Sequence, residues 1–175
     1  MSVILICGLN GSGKTTLGKE LASTLDFAFL NDEEYYFEKA DIPFSKSRTS
    51  DEASAYILAY IQKHKNTVIT ATRGNLGAEI YRMYDCVIYL SAPLDIRLSR
   101  IKNREYEKFG TRALPGGDMY KMQKAFHNKV ALRTADKTEA WLDILSCPVI
   151  RLDGTVSVKE NVMFIVSELK KLLNL

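Results

Sequence analysis

Five short apolar runs alternate with longer amphipathic segments along the chain, and this alternation restricts the fold more than any other feature. The runs are rich in Val, Ile and Leu, whereas the segments between them repeat apolar residues at helical spacing. Strands that alternate with helices form a parallel sheet covered on both faces, which is an α/β fold. The predicted strands span 3–7, 27–30, 67–72, 86–90 and 148–152, and the predicted helices span 14–25, 50–63, 94–104, 118–134, 137–145 and 158–172.

The stretch GLNGSGKTT, residues 8–16, lies between the first strand and the first helix and matches the pattern G-x-x-x-x-G-K-[ST]. Its glycines allow backbone N–H groups to converge, Lys14 adds a charge, and the Thr15 hydroxyl suits Mg²⁺. A glycine-rich turn without a ligand is the alternative, but the complete pattern in this position favours a polyphosphate-binding loop. The residues predicted to bind the nucleotide here are Asn10, Gly11, Ser12, Gly13, Lys14, Thr15 and Thr16.

Composition limits the remaining possibilities. The 175 residues suit one domain spanning 1–175. The net charge of +3, without long runs of like charge, does not indicate a nucleic-acid or membrane partner. Cys7, Cys86 and Cys147 are scattered, which argues against a disulfide framework and a zinc site. No secretory leader or run of 18 apolar residues is visible, so we expect a cytoplasmic enzyme. We also expect a monomer or weak dimer.

Two further segments each combine a predicted strand with part of the helix that follows it. They are VIYLSAPLDIRLSRIKNR at 87–104 and CPVIRLDGTVSVKENV at 147–162. Together with GLNGSGKTT they resemble the P-loop kinase group that includes adenylate kinase, shikimate kinase and gluconate kinase. The resemblance implies a three-layer P-loop NTPase sandwich with a five-stranded parallel sheet in the order 2-3-1-4-5 and a short lid at about 105–117. It also implies transfer of the γ-phosphoryl group of ATP, with Mg²⁺, to a nucleotide, a nucleoside or another small acceptor.

The resemblance also implies functions for individual residues on the donor side. Arg100 would pack on adenine, Arg104 would reach the donor phosphates, and Gly154 and Thr155 would belong to the adenine loop. Arg112 lies in FGTRALPGG, where glycines and a proline indicate a hinged loop that can bring a catalytic cation onto the phosphates. Lys14, Arg104 and Arg112 are therefore the predicted catalytic cations, although solvated surface arginines remain the alternative for the last two.

The acceptor side is predicted from residues that follow the second and third strands. In the group that the chain resembles, a carboxylate at the end of the second strand contacts the acceptor hydroxyl or Mg²⁺, and Asp32 in NDEEYYF matches best, with Glu34 next. Asp32 is thus a predicted catalytic, acceptor-binding and, with Thr15, metal-binding residue, unless the acidic run only complements a helix dipole. Arg73 follows the third strand, where it can bind an anion on the acceptor.

Three functions remain open. The first is a nucleotide or nucleoside kinase, the second a kinase for a small hydroxyl compound of the shikimate or gluconate type, and the third a regulatory ATPase without an acceptor. The sequence has no Asn-Lys-x-Asp segment and no apolar run that ends in Asp-Glu, which disfavours a GTPase or a motor. The third strand carries Thr70 and Thr72 where similar segments of nucleotide kinases often carry Asp-Gly, so no metal contact is predicted from this strand. His64 and His127 are predicted to be surface residues.

Overall fold

A computed structural model describes residues 1–37 and 46–173, which form the predicted parallel sheet. Its five strands are all parallel and lie in the order β2-β3-β1-β4-β5, which confirms the predicted order. The strands are β1 (Ser2–Cys7), β2 (Ala28–Asn31), β3 (Asn66–Ala71), β4 (Cys86–Ser91) and β5 (Val149–Asp153). The α-helices are α1 (Lys14–Leu25), α2 (Glu33–Tyr36), α3 (Ser50–His64), α4 (Ala78–Tyr81), α5 (Leu94–Phe109), α6 (Tyr120–Ala131), α7 (Asp136–Leu142) and α8 (Val158–Leu173).

The central strand β1 has apolar side chains on both faces, which explains why its sequence is a continuous apolar run. Val3, Leu5 and Cys7 pack in one cluster with buried residues of α3 and α4, whereas Ile4 and Ile6 pack in a second cluster with α1 and α8. Each fully buried aliphatic side chain of this kind contributes about 1.5–3 kcal/mol. Because both faces of β1 are packed, the position of the loop that follows this strand is fixed.

The strand register brings the carboxyl ends of four neighbouring strands together. Cys7 at the end of β1 pairs with Ala71 of β3 and Tyr89 of β4, while Asn31 of β2 pairs with Thr70 of β3. The residues that follow these strands consequently emerge side by side at one edge of the sheet, which is where open α/β sheets bind ligands.

Helix α5 extends beyond its predicted end at residue 104 and continues to Phe109. Glu105 in this extension is only 7% exposed, and its Oε2 lies 2.6 Å from Nε2 of His127 in α6. This contact joins α5 to α6 and favours continuation of the helix. It also corrects the prediction that His127 is a surface residue, because only 20% of its side chain is exposed.

Other helix ends differ from their predicted positions because nearby side chains have competing partners. The spacing of Thr49 and Glu52 predicts a capping box, and the two residues form one at the start of α3. Helix α6 begins at Tyr120 rather than at 118, since Asp118 pairs instead with Arg112. A single turn of 3₁₀ helix spans Gly110–Ala113 between α5 and α6.

Within residues 1–37 and 46–173, no helix has the length and apolar character needed to cross a membrane.

Candidate active site

The loop between β1 and α1 requires glycine at two positions, because there its backbone has a positive φ angle and lies in close contact with other backbone atoms. Gly8 and Gly11 have φ angles of 151° and 83°. A Cβ atom on Gly8 would lie 2.2 Å from the carbonyl oxygen of Leu90, and one on Gly11 would lie 2.4 Å from that of Arg97. Both glycines therefore allow the loop to fold tightly against the end of β4 and the start of α5.

The start of α1 faces the interior of this loop without a capping side chain. Gly13 is the N-cap residue and makes no side-chain cap, so the first N–H groups of α1 and the positive end of its dipole are suited to an anion. The ammonium group of Lys14 donates a hydrogen bond to the carbonyl oxygen of Leu9 over 3.2 Å. Burial lowers the pKa of Lys14 to about 8, while the carboxylates of Glu33 and Asp32 act in the opposite direction.

A cavity of about 560 Å³ opens beside the loop, a volume typical of small-ligand sites. Asp32 and Arg104 line it, and so do all the residues predicted to bind the nucleotide. These are Asn10, Gly11, Ser12, Gly13, Lys14, Thr15, Thr16, Arg100, Gly154 and Thr155. The structure thus brings together segments that are far apart in the sequence.

Arg100 joins the phosphate-binding loop to the loop that follows β5. Its Nη1 donates to the carbonyl oxygen of Ser12 over 3.0 Å, and its Nη2 donates to that of Gly154 over 2.9 Å. Gly154 lies so close to the first loop that an added Cβ atom would be 2.5 Å from the oxygen of Ser12. The two loops therefore form one continuous wall of the cavity.

Asp32 and Glu33 line the same cavity as Lys14. The backbone N–H of Asp32 donates to the carbonyl oxygen of Thr70 over 3.0 Å, which ties this residue to β3. Burial, followed by the neighbouring Glu33 carboxylate, raises the pKa of Asp32 to about 7. Sequence reasoning named Glu34 as the second choice, but Glu34 is exposed and does not line the cavity. The short helix α2, which begins at Glu33, places Glu33 there instead.

The donor groups of the cavity fit a hard divalent cation. Thr15 supplies a hydroxyl oxygen, and Asp32 and Glu33 supply carboxylate oxygens whose mutual repulsion a cation would relieve. No group of three or more His, Cys, Asp or Glu residues in the described ranges could hold a metal alone. Mg²⁺ is commonly bound by one or two carboxylates together with substrate phosphates.

Arg73 does not line the large cavity but a smaller one of about 190 Å³ beside it. Thr72 lines both cavities, so the two adjoin at the end of β3. The smaller cavity, called the basic pocket below, is lined by Leu9, Thr72, Arg73, Leu132, Arg133, Thr134 and Lys137. Sequence reasoning did not find Arg133 and Lys137, because they follow α6 and no local motif surrounds them.

Arg112 lies outside both cavities. Its Nε and Nη2 donate to the two carboxylate oxygens of Asp118 over 2.9 and 2.7 Å, and both side chains are about 60% exposed. Contact between Arg112 and bound phosphates consequently requires movement of the segment that carries it. Its predicted catalytic function stays a prediction.

The sheet order, the loop geometry and the cavity define a P-loop NTPase of the kinase-like class. The family described as "AAA domain" matches residues 4–138, and the chain belongs to that family. The chain is 29% identical over 167 residues to "Uncharacterized protein YqaC" of Bacillus subtilis, covering 91% of this chain and 92% of the relative. It is also 33% identical over 120 residues to a cytidylate kinase of Pyrobaculum islandicum, covering 62% of this chain and 64% of that protein.

Solved kinase structures share this fold. A gluconokinase from Sinorhizobium meliloti aligns with a TM-score of 0.58 at 13% identity, over 98% of this chain and 93% of its own. A shikimate kinase from Bacteroides thetaiotaomicron aligns with a TM-score of 0.57 at 18% identity, over 99% of both chains. These comparisons support an ATP-binding, kinase-like function and leave the acceptor undetermined.

Proposed function

We propose that the protein is an ATP-dependent phosphotransferase that transfers the γ-phosphoryl group to a nucleotide, a nucleoside or another small acceptor. The observation that carries this proposal is the placement of Lys14 and Asp32 in one cavity at the end of β1 and β2. A cation for the phosphates and a carboxylate for the acceptor then face the same space. Phosphoryl transfer depends mainly on such positioning and on charge stabilisation.

The donor half of the cavity suits ATP. The triphosphate would lie on the N–H groups of the loop and on Lys14, with Arg104 beside it. The base would lie near Arg100 and the Gly154–Thr155 backbone, which is already hydrogen-bonded into place. Mg²⁺ would be held by Thr15 and Asp32, together with phosphate oxygens, and would neutralise charge on the phosphates.

Asp32 would orient the acceptor. The acceptor oxygen forms a bond to the γ-phosphorus as the bond from that phosphorus to the β,γ-bridging oxygen breaks, and ADP leaves. The hydroxyl proton passes to Asp32 or to the transferred phosphoryl group. As a carboxylate, Asp32 would accept a hydrogen bond from the acceptor hydroxyl and so orient its oxygen toward the γ-phosphorus.

Relatives and neighbours support more than one acceptor class. The partial similarity to cytidylate kinases favours a nucleotide, while the neighbouring gluconokinase and shikimate kinase structures share only the fold. A small hydroxyl compound is the second candidate, because a partly buried carboxylate such as Asp32 suits a neutral hydroxyl acceptor. We further propose that residues 1–175 form one domain in which the segment at about 105–117 acts as the lid.

The test is transfer of label from [γ-³²P]ATP with Mg²⁺ to a panel of acceptors. The panel contains nucleoside monophosphates, nucleosides, and hydroxy acids and sugars such as shikimate and gluconate. A labelled product that requires one acceptor class supports the proposal and identifies that class. Release of inorganic phosphate at the same rate with every acceptor and with none would instead indicate a regulatory ATPase.

A further inference from the structure

Arg97 is buried beside the phosphate-binding loop and yet lines neither cavity. It lies near the start of α5, and only 6% of it is exposed. We propose that Arg97 is a positioning residue for the donor phosphates, because it holds the backbone of Asn10 so that the N–H of Gly11 points into the large cavity. This inference rests on the proposed phosphotransferase function and adds to it a residue that the nucleotide would not touch.

Arg97 contacts the loop through its side chain and through its own backbone. Its Nη1 donates a hydrogen bond to the carbonyl oxygen of Asn10 over 3.3 Å, and its Nε donates to that of Ala92 over 3.0 Å. Its carbonyl oxygen lies only 2.4 Å from the position that a Cβ atom on Gly11 would take. Arg133, which lines the basic pocket, donates to Oδ1 of the same Asn10. Asn10 is therefore held at its backbone and at its side chain.

The geometry of the peptide bond converts this contact into an orientation of one N–H group. The peptide between Asn10 and Gly11 is trans, so the oxygen of Asn10 and the N–H of Gly11 point in opposite directions. Because Arg97 binds that oxygen, the N–H points away from α5. Gly11 lines the large cavity, and its N–H donates no hydrogen bond within residues 1–37 and 46–173. It is thus a free donor for a phosphate oxygen.

Arg100, which follows Arg97 by three residues in α5, makes the same kind of contact. Its Nη1 binds the carbonyl oxygen of Ser12, so the N–H of Gly13 also points away from the arginine. Gly13 lines the large cavity too, and its N–H has no partner in the described part of the chain. Residues three apart share one face of a helix, which explains how two arginines of α5 hold two alternate carbonyl groups of the loop.

The charge of Arg97 is buried without a carboxylate partner. Glu105 is the other charged side chain buried to a similar degree in the described ranges, and it contacts His127. Arg97 forms no ion pair within residues 1–37 and 46–173. Burial lowers the pKa of Arg97, although a guanidinium stays charged at neutral pH. A buried cation is costly without an opposite charge nearby, and the phosphates of the donor would supply that charge.

The experiment measures how far phosphate binding depends on Arg97 and requires no turnover. Calorimetry with Mg²⁺ compares ATP, inorganic tripolyphosphate and adenosine as ligands of wild type, Arg97→Met and Arg97→Lys. Methionine keeps a long flexible side chain but cannot donate, whereas lysine keeps the charge but lacks the planar fork. Glu105→Gln is the matched control, because it removes the other buried charge of α5 and Glu105 lines neither cavity. Thermal melts verify that each variant folds.

We expect Arg97→Met to bind ATP and tripolyphosphate at least about tenfold more weakly, because an oriented hydrogen bond to a charged phosphate is lost. Its affinity for adenosine should change by less than about twofold, since the base does not contact this part of the loop. Arg97→Lys should lose about three- to tenfold, and Glu105→Gln less than about twofold, in phosphate affinity. A residue that only stabilised the fold would lower the melting temperature without separating phosphate from nucleoside.

Amide resonances identify the N–H group that Arg97 positions. In ¹⁵N-labelled wild type, tripolyphosphate should shift the resonances of Gly11 and Gly13. In Arg97→Met the shift of Gly11 should become much smaller, while Gly13 should keep most of its shift because Arg100 still holds Ser12. This difference separates the positioning of one N–H group from a general loosening of the loop.

Three results would overturn the inference. They are unchanged tripolyphosphate affinity in both Arg97 variants, an equal loss of affinity for tripolyphosphate and adenosine, and equal loss of the Gly11 and Gly13 shifts. If Arg97→Met does not fold, the affinity of Arg97→Lys decides alone. Binding as expected without transfer to any acceptor would refute the proposed function and leave this inference intact. Failure of wild type to bind either ATP or tripolyphosphate would refute both.

Discussion

The phosphate-binding loop and the segment that carries Arg112 hold their cations in different ways. Around the loop, the cations donate to backbone carbonyl oxygens, as Lys14 does to Leu9 and Arg100 does to Ser12 and Gly154. Arg112 donates instead to the carboxylate of Asp118. A carbonyl group positions a cation without neutralising it, whereas a carboxylate neutralises it.

The phosphate-binding loop with Lys14 and Arg100 is called the preformed half of the proposed site. The segment that carries Arg112 is called the rearranging half, because Arg112 lies outside both cavities and reaches them only if the segment moves. The cations of the loop are placed for phosphate before any ligand binds, so little reorganisation is needed. The pair of Arg112 and Asp118 is exposed, and exposed ion pairs contribute little to stability because water screens their attraction. If the proposed lid closes, exchange of Asp118 for a phosphate at Arg112 would therefore cost little.

The largest effect should come from the preformed half. We expect Lys14→Ala to lower phosphoryl transfer by at least about 10²–10³-fold, because it removes a charge aimed at the transferring group. Transfer of label from ATP measures this, and a thermal melt verifies the fold. Lys102→Ala serves as the control, since Lys102 is exposed and lines neither cavity. Undiminished transfer in Lys14→Ala would refute the function assigned to the loop.

The pH dependence of stability tests whether the ionised carboxylate of Asp32 destabilises the protein when no ligand is bound. Its folded-state pKa of about 7 lies above the ordinary aspartate value of 3.8, so the folded protein loses stability as pH rises through this interval. We expect Asp32→Asn to stabilise the ligand-free protein at pH 8, by at most about 4 kcal/mol, and to have little effect at pH 4. Urea unfolding in EDTA at both pH values measures this. Equal effects at both values would contradict the burial of a carboxylate here.

The rearranging half is tested by a pair of variants. Arg112→Ala should lower kcat by about 10- to 100-fold and change ATP affinity by less than twofold, because the side chain acts only after closure. Asp118→Asn should leave kcat unchanged or raise it up to about fivefold, since it releases Arg112 from an exposed pair. A loss of kcat in Asp118→Asn equal to that in Arg112→Ala would indicate that the ion pair itself is needed.

Hydrogen exchange compares the two halves without mutation. We expect amides in 110–117 to exchange rapidly without ligand and to become protected several-fold when a non-hydrolysable ATP analogue and Mg²⁺ bind. Amides in the middle of β1 should be protected in both states, because that strand is central and fully buried. Identical exchange of 110–117 with and without the analogue would remove the lid from the mechanism.

The smallest effect is expected for selection between the adenine and guanine bases of the nucleotide. The loop after β5 presents backbone groups of Gly154 and Thr155, and Thr155 donates its own N–H to Asp153 over 2.7 Å. Recognition through a few backbone groups should favour ATP over GTP only a few-fold, about 1 kcal/mol or less. Competitive calorimetry measures the ratio. Equal or tighter binding of GTP would show that this loop does not select adenine.

Sequence reasoning found the parts of the site that a local pattern encodes. The strand, loop and helix around Lys14 are contiguous, so spacing alone predicted them, and the Thr49–Glu52 cap was equally local. Glu33 was missed because the turn that aims it into the cavity depends on Asp32 bonding to β3. Arg133 was missed because its relation to Asn10 spans most of the chain.

The sequence by itself determined the α/β class, the polyphosphate-binding loop and the strands that support it, because apolar periodicity and glycine conformations act over a few residues. Only the tertiary structure decided which side chains share a space. It placed Arg73 with Arg133 and Lys137 in a pocket beside the large cavity, and it buried Glu105 against His127. These relations depend on strand register and on how helices pack, and a residue's local sequence carries no information about its distant partners.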